Sequence, residues 1–175
     1  MKTTSCGVLL LNPAHEILLC HATGTPYWDI PKGAGDPGEH ELDTALRETA
    51  EETSVRLPRE ALRDLGRFSY RPRKDLHLFA VLVERFDAGR CRCTSRFVDA
   101  RGRMRLEMDA FRWSAFADVA EHCAPSMARL LSDAAALPRV LAELQAAGTA
   151  PVVPQWHAPP PSLEEAGSPS RSPDR

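Results

Sequence analysis

The sequence has no paired cysteine framework. Cys6, Cys20, Cys91, Cys93 and Cys123 form an odd set, and Cys91-x-Cys93 has the spacing of neither a zinc knuckle nor a Cys-x-x-Cys redox pair, so reduced thiols are expected. Long apolar runs are missing as well. Met1 to Asn12 carries one lysine and a stretch too brief for a secretory segment or a membrane span, which makes the cytoplasm the expected compartment, with no membrane partner. Charge of one sign does not dominate either. The net value is only −2, which gives no support to a protein that wraps nucleic acid; no DNA partner is expected. There is no internal repeat.

What remains is a chain of 175 residues with 43% hydrophobic content, enough for one globular core without staples. Gly7 to Leu11 and Glu16 to His21 are short apolar runs around the turn-forming Asn12-Pro13-Ala14-His15, and predict a hairpin or two adjacent strands. Tyr27 to Ile30 predicts a brief strand, while Pro31 to Gly38 holds too many Gly and Pro residues for any regular element. From His40 to Thr53, Leu42, Ala45, Leu46, Thr49 and Thr53 recur at helical spacing, with Glu41 and Asp43 at the positive N-terminal end. Leu65 to Tyr70 and Leu76 to Val83 read as a hairpin whose second strand is apolar on both faces and therefore central. Arg90 to Leu106 predicts an arginine-rich hairpin, Ala110 to Trp113 a last strand, and Asp118 to Ala147 helical segments broken at Pro125 and Pro138. The domain is expected to end at residue 147. Residues 148–175 hold seven prolines in 28 positions, the composition of a disordered tail; Trp156 within it reads as a stray aromatic.

Chemistry concentrates around residue 50. Glu48, Glu51 and Glu52 stand at i, i+3 and i+4, so a helix projects three carboxylates into one sector beside the apolar stripe. Like charges so spaced cost roughly 0.2–0.5 kcal/mol per pair, a cost that a bound cation reverses. Oxygen-only ligands favour Mg²⁺, Mn²⁺ or Ca²⁺ over zinc.

The spacing from Gly33 through Glu39 to Arg47-Glu48-x-x-Glu51-Glu52 resembles the Nudix box. That resemblance implies an α/β fold, the Nudix α/β/α sandwich with a mixed β-sheet, and hydrolysis of a nucleoside diphosphate linked to another moiety, with Mg²⁺ (or Mn²⁺) as cofactor. It also implies Glu48, Glu51, Glu52 and the carbonyl of Gly33 as metal ligands. Arg47, within reach of Glu51 and held in turn by Glu39, is expected to orient those ligands. Two positions depart from the family pattern. Ser54 stands where glycine is usual, which puts the helix exit in question, and Thr49 stands where an aliphatic residue is common.

Phosphoanhydride cleavage needs shielded phosphate charge and an aligned water. Glu52 and Glu48 are candidate bases. Glu107 is the alternative, because Glu107 to Trp113 resembles the E-x-x-x-[YF]-R-W segment of asymmetric diadenosine tetraphosphate hydrolases, in which the glutamate faces the metal. Trp28 to Gly33 resembles the W-x-x-P-K-G lead-in of dinucleoside polyphosphate hydrolases, which implies that Lys32 contacts a phosphate.

Asp36 to Glu52 holds seven acidic side chains and one arginine, whereas Arg56 to Lys74 holds seven basic and two acidic ones. Arg71, Arg73 and Lys74 are expected to grip the more distant phosphates, and Tyr27 or Tyr70 to stack on adenine. The expected substrate is a small-molecule nucleotide, a dinucleoside polyphosphate such as diadenosine tetraphosphate. The competing readings are RNA 5′-end pyrophosphohydrolysis, with the arginines of Arg90 to Arg105 on the RNA backbone, and a catalytically silent nucleotide sensor. No protein partner is evident.

Overall fold

A computed structural model describes residues 2–156. In chain order the elements are β1 (Thr3–Asn12), β2 (Glu16–Ala22), β3 (Trp28–Asp29), β4 (Lys32–Ala34), α1 (Glu41–Thr53), β5 (Val55–Arg56), β6 (Arg63–Arg71), β7 (Lys74–Leu82), β8 (Arg96–Val98), β9 (Met104–Leu106), β10 (Met108–Ala115), α2 (Val119–His122), α3 (Pro125–Arg129), α4 (Leu137–Ala146) and β11 (Gln155–Trp156). A π-helical turn, Leu130–Ala134, follows α3 directly.

The main sheet runs β10-β2-β1-β7-β6, with β3 added to β2 and β4 to β1. It is mixed: β1 and β7 are parallel and the other pairs antiparallel. β1 is buried on both faces because its alternate residues feed two cores. Val8 and Leu10 join Leu18, Phe79, Val81 and Ala45 on the α1 side. Leu9 and Leu11 join Ile17, Leu78, Met127, Leu131 and Leu141 on the α2–α4 side. Helices therefore cover both faces, as expected of an α/β/α sandwich. No described helix is long and apolar enough to cross a membrane.

Three local expectations are corrected. Pro31 to Gly38 is not free of regular structure: Lys32, Gly33 and Ala34 pair with Gly7, Cys6 and Ser5. Gly7 permits this approach, since a Cβ there would lie 2.7 Å from Lys32 Cβ and 2.8 Å from the Pro31 carbonyl.

Helix α1 is also rotated relative to the predicted stripe. Its buried residues are Thr44, Ala45, Glu48, Thr49, Glu52 and Thr53, whereas Leu42 and Leu46 are half-exposed. Two glutamates go inward because they find hydrogen-bond donors there, which removes most of the penalty for burying a polar group.

The predicted tail is ordered in its first part. The Val152 N–H donates to the Leu82 carbonyl at 2.8 Å, β11 pairs with β5, and Trp156 packs edge-on against Phe86, with Arg90 over its ring at 4.4 Å. Few apolar residues suffice here because the backbone joins existing edges. Residues 157–175 of the expected tail lie outside the described residues.

Candidate active site

The His40 Nδ1 accepts the Leu42 N–H at 3.2 Å and so caps α1, with Glu41 and Asp43 in the first turn. At the other end Ser54 takes φ 61°, ψ 11°, the left-handed conformation that a glycine would supply. Its N–H donates to the Ala50 carbonyl at 2.8 Å and its hydroxyl to the Arg92 carbonyl at 2.9 Å. The helix exit keeps its geometry despite the serine. Thr49 is fully buried and donates to the Ala45 carbonyl at 2.8 Å, so its hydroxyl is satisfied within the helix.

Arg47 organises the carboxylates. Nε and Nη2 donate to the two oxygens of Glu39, each at 2.9 Å. Nη1 donates to Glu48 Oε1 at 2.9 Å and to Glu51 Oε2 at 3.2 Å. Nη2 also reaches the Ala34 carbonyl at 3.0 Å. Bidentate geometry of this kind is directional as well as strong. Glu39 is held further by the Asp36 N–H at 3.0 Å and the Thr44 hydroxyl at 2.8 Å. Its hydrogen bonds from Arg47, and then the Asp36 N–H, bring its pKa down to about 2.

Glu48 and Glu52 are shifted the opposite way. Burial raises Glu48, against the pull of Arg47, and the charges of Glu51 and Glu107 raise it further. Burial pushes Glu52 up to about 8; Lys32 opposes this, and Glu48 and Glu107 add to it. The Lys32 N–H donates to Glu52 Oε2 at 2.9 Å. Gly33 lies against Glu48 so closely that a Cβ would come within 2.2 Å of both carboxylate oxygens. Glu107 is 55 residues from Glu52 in the chain, yet it acts on both buried carboxyls. It directly precedes β10, anchored by its N–H to the Ser95 carbonyl at 3.1 Å and by its carbonyl to the Thr23 N–H at 3.0 Å.

Basic groups converge from the sheet end. The Lys32 ammonium lies 2.8 Å from Asp29 Oδ2; burial works against its charge, but Asp29 outweighs burial and the lysine pKa is raised. Burial, with Lys32 and Arg71 nearby, lowers that of Lys74. Arg71 sits over the Tyr70 ring at 4.7 Å and donates to its hydroxyl at 3.1 Å. Glu39, Arg47, Glu48, Glu51, Glu52, Gly33, Lys32 and Glu107 are thus brought together, with Lys74, Arg71 and Tyr70 beside them. Tyr27 and Arg73 are exposed, and among the described residues neither side chain bonds to this cluster. Sequence reasoning missed Asp29, Thr44 and the Ala34 carbonyl. Asp29 had a legible signal, an acid three residues before Lys32; Thr44 and Ala34 had none.

Among the described residues no three acidic, imidazole or thiol groups already stand as a closed ligand set, because Arg47 lies between Glu48 and Glu51. The donor set still suits a hard divalent cation: it is all oxygen, and burial leaves two of its carboxyls short of compensating positive charge.

The NUDIX domain model matches residues 1–133. An uncharacterized 17.7 kDa protein of Enterobacteria phage T4 is 38% identical over 122 residues, 63% of this chain and 81% of that one. The mouse asymmetrical bis(5′-nucleosyl)-tetraphosphatase is 42% identical over 65 residues, 31% of this chain, and the match spans only 44% of the mouse enzyme. A putative 8-oxo-dGTP diphosphatase of Bacillus subtilis is 43% identical over 53 residues, 30% of this chain and 36% of its own length. In fold, the chain is similar to the NUDIX domain of Shewanella oneidensis NrtR complexed with ADP ribose, at a TM-score of 0.59 and 19% identity, covering 80% of this chain and 89% of that one.

Proposed function

The chain belongs to the NUDIX family of hydrolases acting on pyrophosphate bonds, and on that premise we propose that it cleaves a phosphoanhydride bond of a dinucleoside polyphosphate, with diadenosine tetraphosphate as the expected substrate. One observation carries the reading: two buried carboxyls of raised pKa face a converging set of basic groups, Lys32, Lys74 and Arg71. Such an arrangement suits a chain of phosphates longer than the part being cleaved. The Trp28 to Gly33 lead-in and the partial match to the mouse tetraphosphatase support the same substrate.

The family typically uses divalent metals. Here Glu48, Glu51, Glu52 and the Gly33 carbonyl would hold Mg²⁺ or Mn²⁺, with Arg47 and Glu39 setting the carboxylate orientation. The ion supplies shielding of phosphate charge and polarisation of the phosphorus–oxygen bond. Lys32, Arg71, Arg73 and Lys74 would hold the distal phosphates, and Tyr70 or Tyr27 the base. Glu52 and Glu48 are the candidate bases for deprotonating the attacking water, with Glu107 as the alternative from outside the helix.

The test is a panel of dinucleoside polyphosphates, nucleoside triphosphates, 8-oxo-dGTP and nucleotide sugars, with Mg²⁺ and with Mn²⁺, ranked by kcat/KM. Diadenosine tetraphosphate should rank first. A tenfold preference for a mononucleotide would overturn the substrate, and flat, negligible rates would overturn the enzyme. Cleavage in ¹⁸O-labelled water then identifies the phosphorus attacked.

A further inference from the structure

A cavity of about 430 Å³ lies against the outer side of α1, inside the roughly 300–1,000 Å³ of small-molecule sites. Leu46, Ala50 and Leu57 form its apolar wall. Leu46 and Ala50 stand one turn apart on the helix, and the left-handed turn at Ser54 redirects the chain so that Leu57 joins them. The half-exposure of Leu46, which periodicity assigns to the core stripe, thus has a structural reason: its side chain faces a cavity.

The remaining lining is polar and comes from Arg47, Glu51, Arg56 and Thr94. The Thr94 N–H and hydroxyl donate to the Glu51 carbonyl at 2.7 and 3.0 Å. That hydroxyl hydrogen is committed, so the oxygen offers only lone pairs, as does the Glu51 carboxylate. Arg56 is fixed at its backbone by pairing with Gln155. An apolar wall, acceptors for amino or ribose hydroxyl groups, and a guanidinium able to stack on a ring are together suited to a nucleoside.

Arg47 and Glu51 belong both to this cavity and to the carboxylate cluster. Successive residues differ by about 100° around a helix axis, so Glu51 faces the cavity, Glu52 faces Lys32 and Glu48 falls between them. The three carboxylates therefore separate the cavity from the basic groups Lys32, Lys74 and Arg71. A polyphosphate that lies across the carboxylates has those cations at one end and the cavity at the other.

We propose that the cavity receives the second nucleoside of a dinucleoside polyphosphate, the one farther from Lys32, Arg71 and Tyr70. The assignment rests on the dinucleoside polyphosphate reading and deepens it. A nucleoside polyphosphate with one base leaves this cavity unfilled, so Leu46, Ala50 and Leu57 set the preference for a substrate with two.

The test is methyl and amide NMR on the full chain with Mg²⁺ and two non-hydrolysable probes. One is methylene-bridged diadenosine tetraphosphate; the other is methylene-bridged adenosine tetraphosphate, which lacks only the second adenosine. Both should shift the Lys32 and Gly33 amides. The dinucleotide alone should shift the Leu46, Ala50 and Leu57 methyls, and it should bind roughly tenfold tighter. Leu57→Trp, which fills the cavity, should bring the two affinities to within about twofold of each other. Retained amide shifts in that variant show that it folds.

Pocket methyls that stay still while the amides move, or that move equally with both probes, would overturn the assignment and leave the substrate reading standing. A dinucleotide that moves neither set would overturn both. Absent turnover of diadenosine tetraphosphate with all the shifts intact would count against hydrolysis alone and would uphold the cavity as a nucleoside site.

Discussion

Glu52 Oε2 accepts the Lys32 backbone N–H at 2.9 Å, while the Lys32 ammonium lies on Asp29 at 2.8 Å. The buried carboxylate is thus met by a neutral donor, and the nearby cation is already committed to another acid. That division of labour leaves Glu52 raised to about 8 and ready for a stronger positive charge.

Stability without metal should therefore fall as pH rises. The folded state holds a proton on Glu52 up to about 8, whereas the unfolded carboxyl loses it near 4.5. Between those values the folded protein binds more protons, and Glu52 alone removes up to about 1.4 kcal/mol per pH unit. Urea unfolding in chelator from pH 5 to pH 8 should show the decline. Saturating Mg²⁺ should abolish it and Glu52→Gln should flatten it. A slope unchanged in Glu52→Gln would place the titration elsewhere.

Gly33→Ala should separate folding from catalysis. The nearest atoms an added Cβ would meet all belong to the end of the Glu48 side chain, with Cδ at 2.1 Å, so the carboxylate can swing away at little cost in stability. Its position is lost in doing so. We expect kcat/KM to drop by about 10- to 100-fold, the range seen when supports of metal ligands are removed, with Tm nearly unchanged. Full activity in this variant would show that Glu48 need not stand where it does.

Ser54 carries two opposed effects. A non-glycine residue in the left-handed region costs roughly 1–2 kcal/mol, and the hydroxyl bond to Arg92 returns about 1 kcal/mol. Ser54→Ala keeps the strain and loses the bond, so it should destabilise by about 1 kcal/mol. Ser54→Gly loses both and should lie close to wild type. Chemical denaturation of the pair decides it, since equal losses would mean that the left-handed backbone costs nothing, and a Ser54→Ala variant as stable as wild type would mean that the hydroxyl bond contributes nothing.

Thr44 supports Glu39, which supports Arg47, which holds Glu48 and Glu51. Thr44→Val removes the donor at constant shape. Mg²⁺ affinity measured by calorimetry should weaken by about tenfold, with Thr44→Ser restoring it. Identical isotherms for the valine variant would show that Arg47 and the Asp36 N–H hold Glu39 unaided.

Much of this was legible from residue order. Short apolar runs beside turn-forming residues marked β1, β2, β6 and β7, because a strand buried on both faces needs apolar side chains at successive positions. The i, i+3, i+4 spacing put Glu48, Glu51 and Glu52 in one sector because an α-helix repeats every 3.6 residues. The Ser54 departure was visible too, and its left-handed cap follows from the same need for a turn. Those are local properties, set by backbone geometry over a few residues.

Which way α1 faces was not local. The period fixes angles around the helix axis but not the rotation of the helix against the sheet, and that rotation depends on where donors wait. Lys32 N–H and Arg47 lie along the inward face of Glu48 and Glu52, so burying two carboxylates became tolerable there while Leu42 and Leu46 stayed half-exposed. The arrival of Glu107 beside them, the β4 pairing at Gly7, and the return of Val152 to the end of β7 and of residues 155–156 to β5 likewise involve partners far apart in the chain. Such contacts are selected by the closure of the whole sheet, whose backbone groups must all be satisfied at once, and no short stretch of sequence records that requirement.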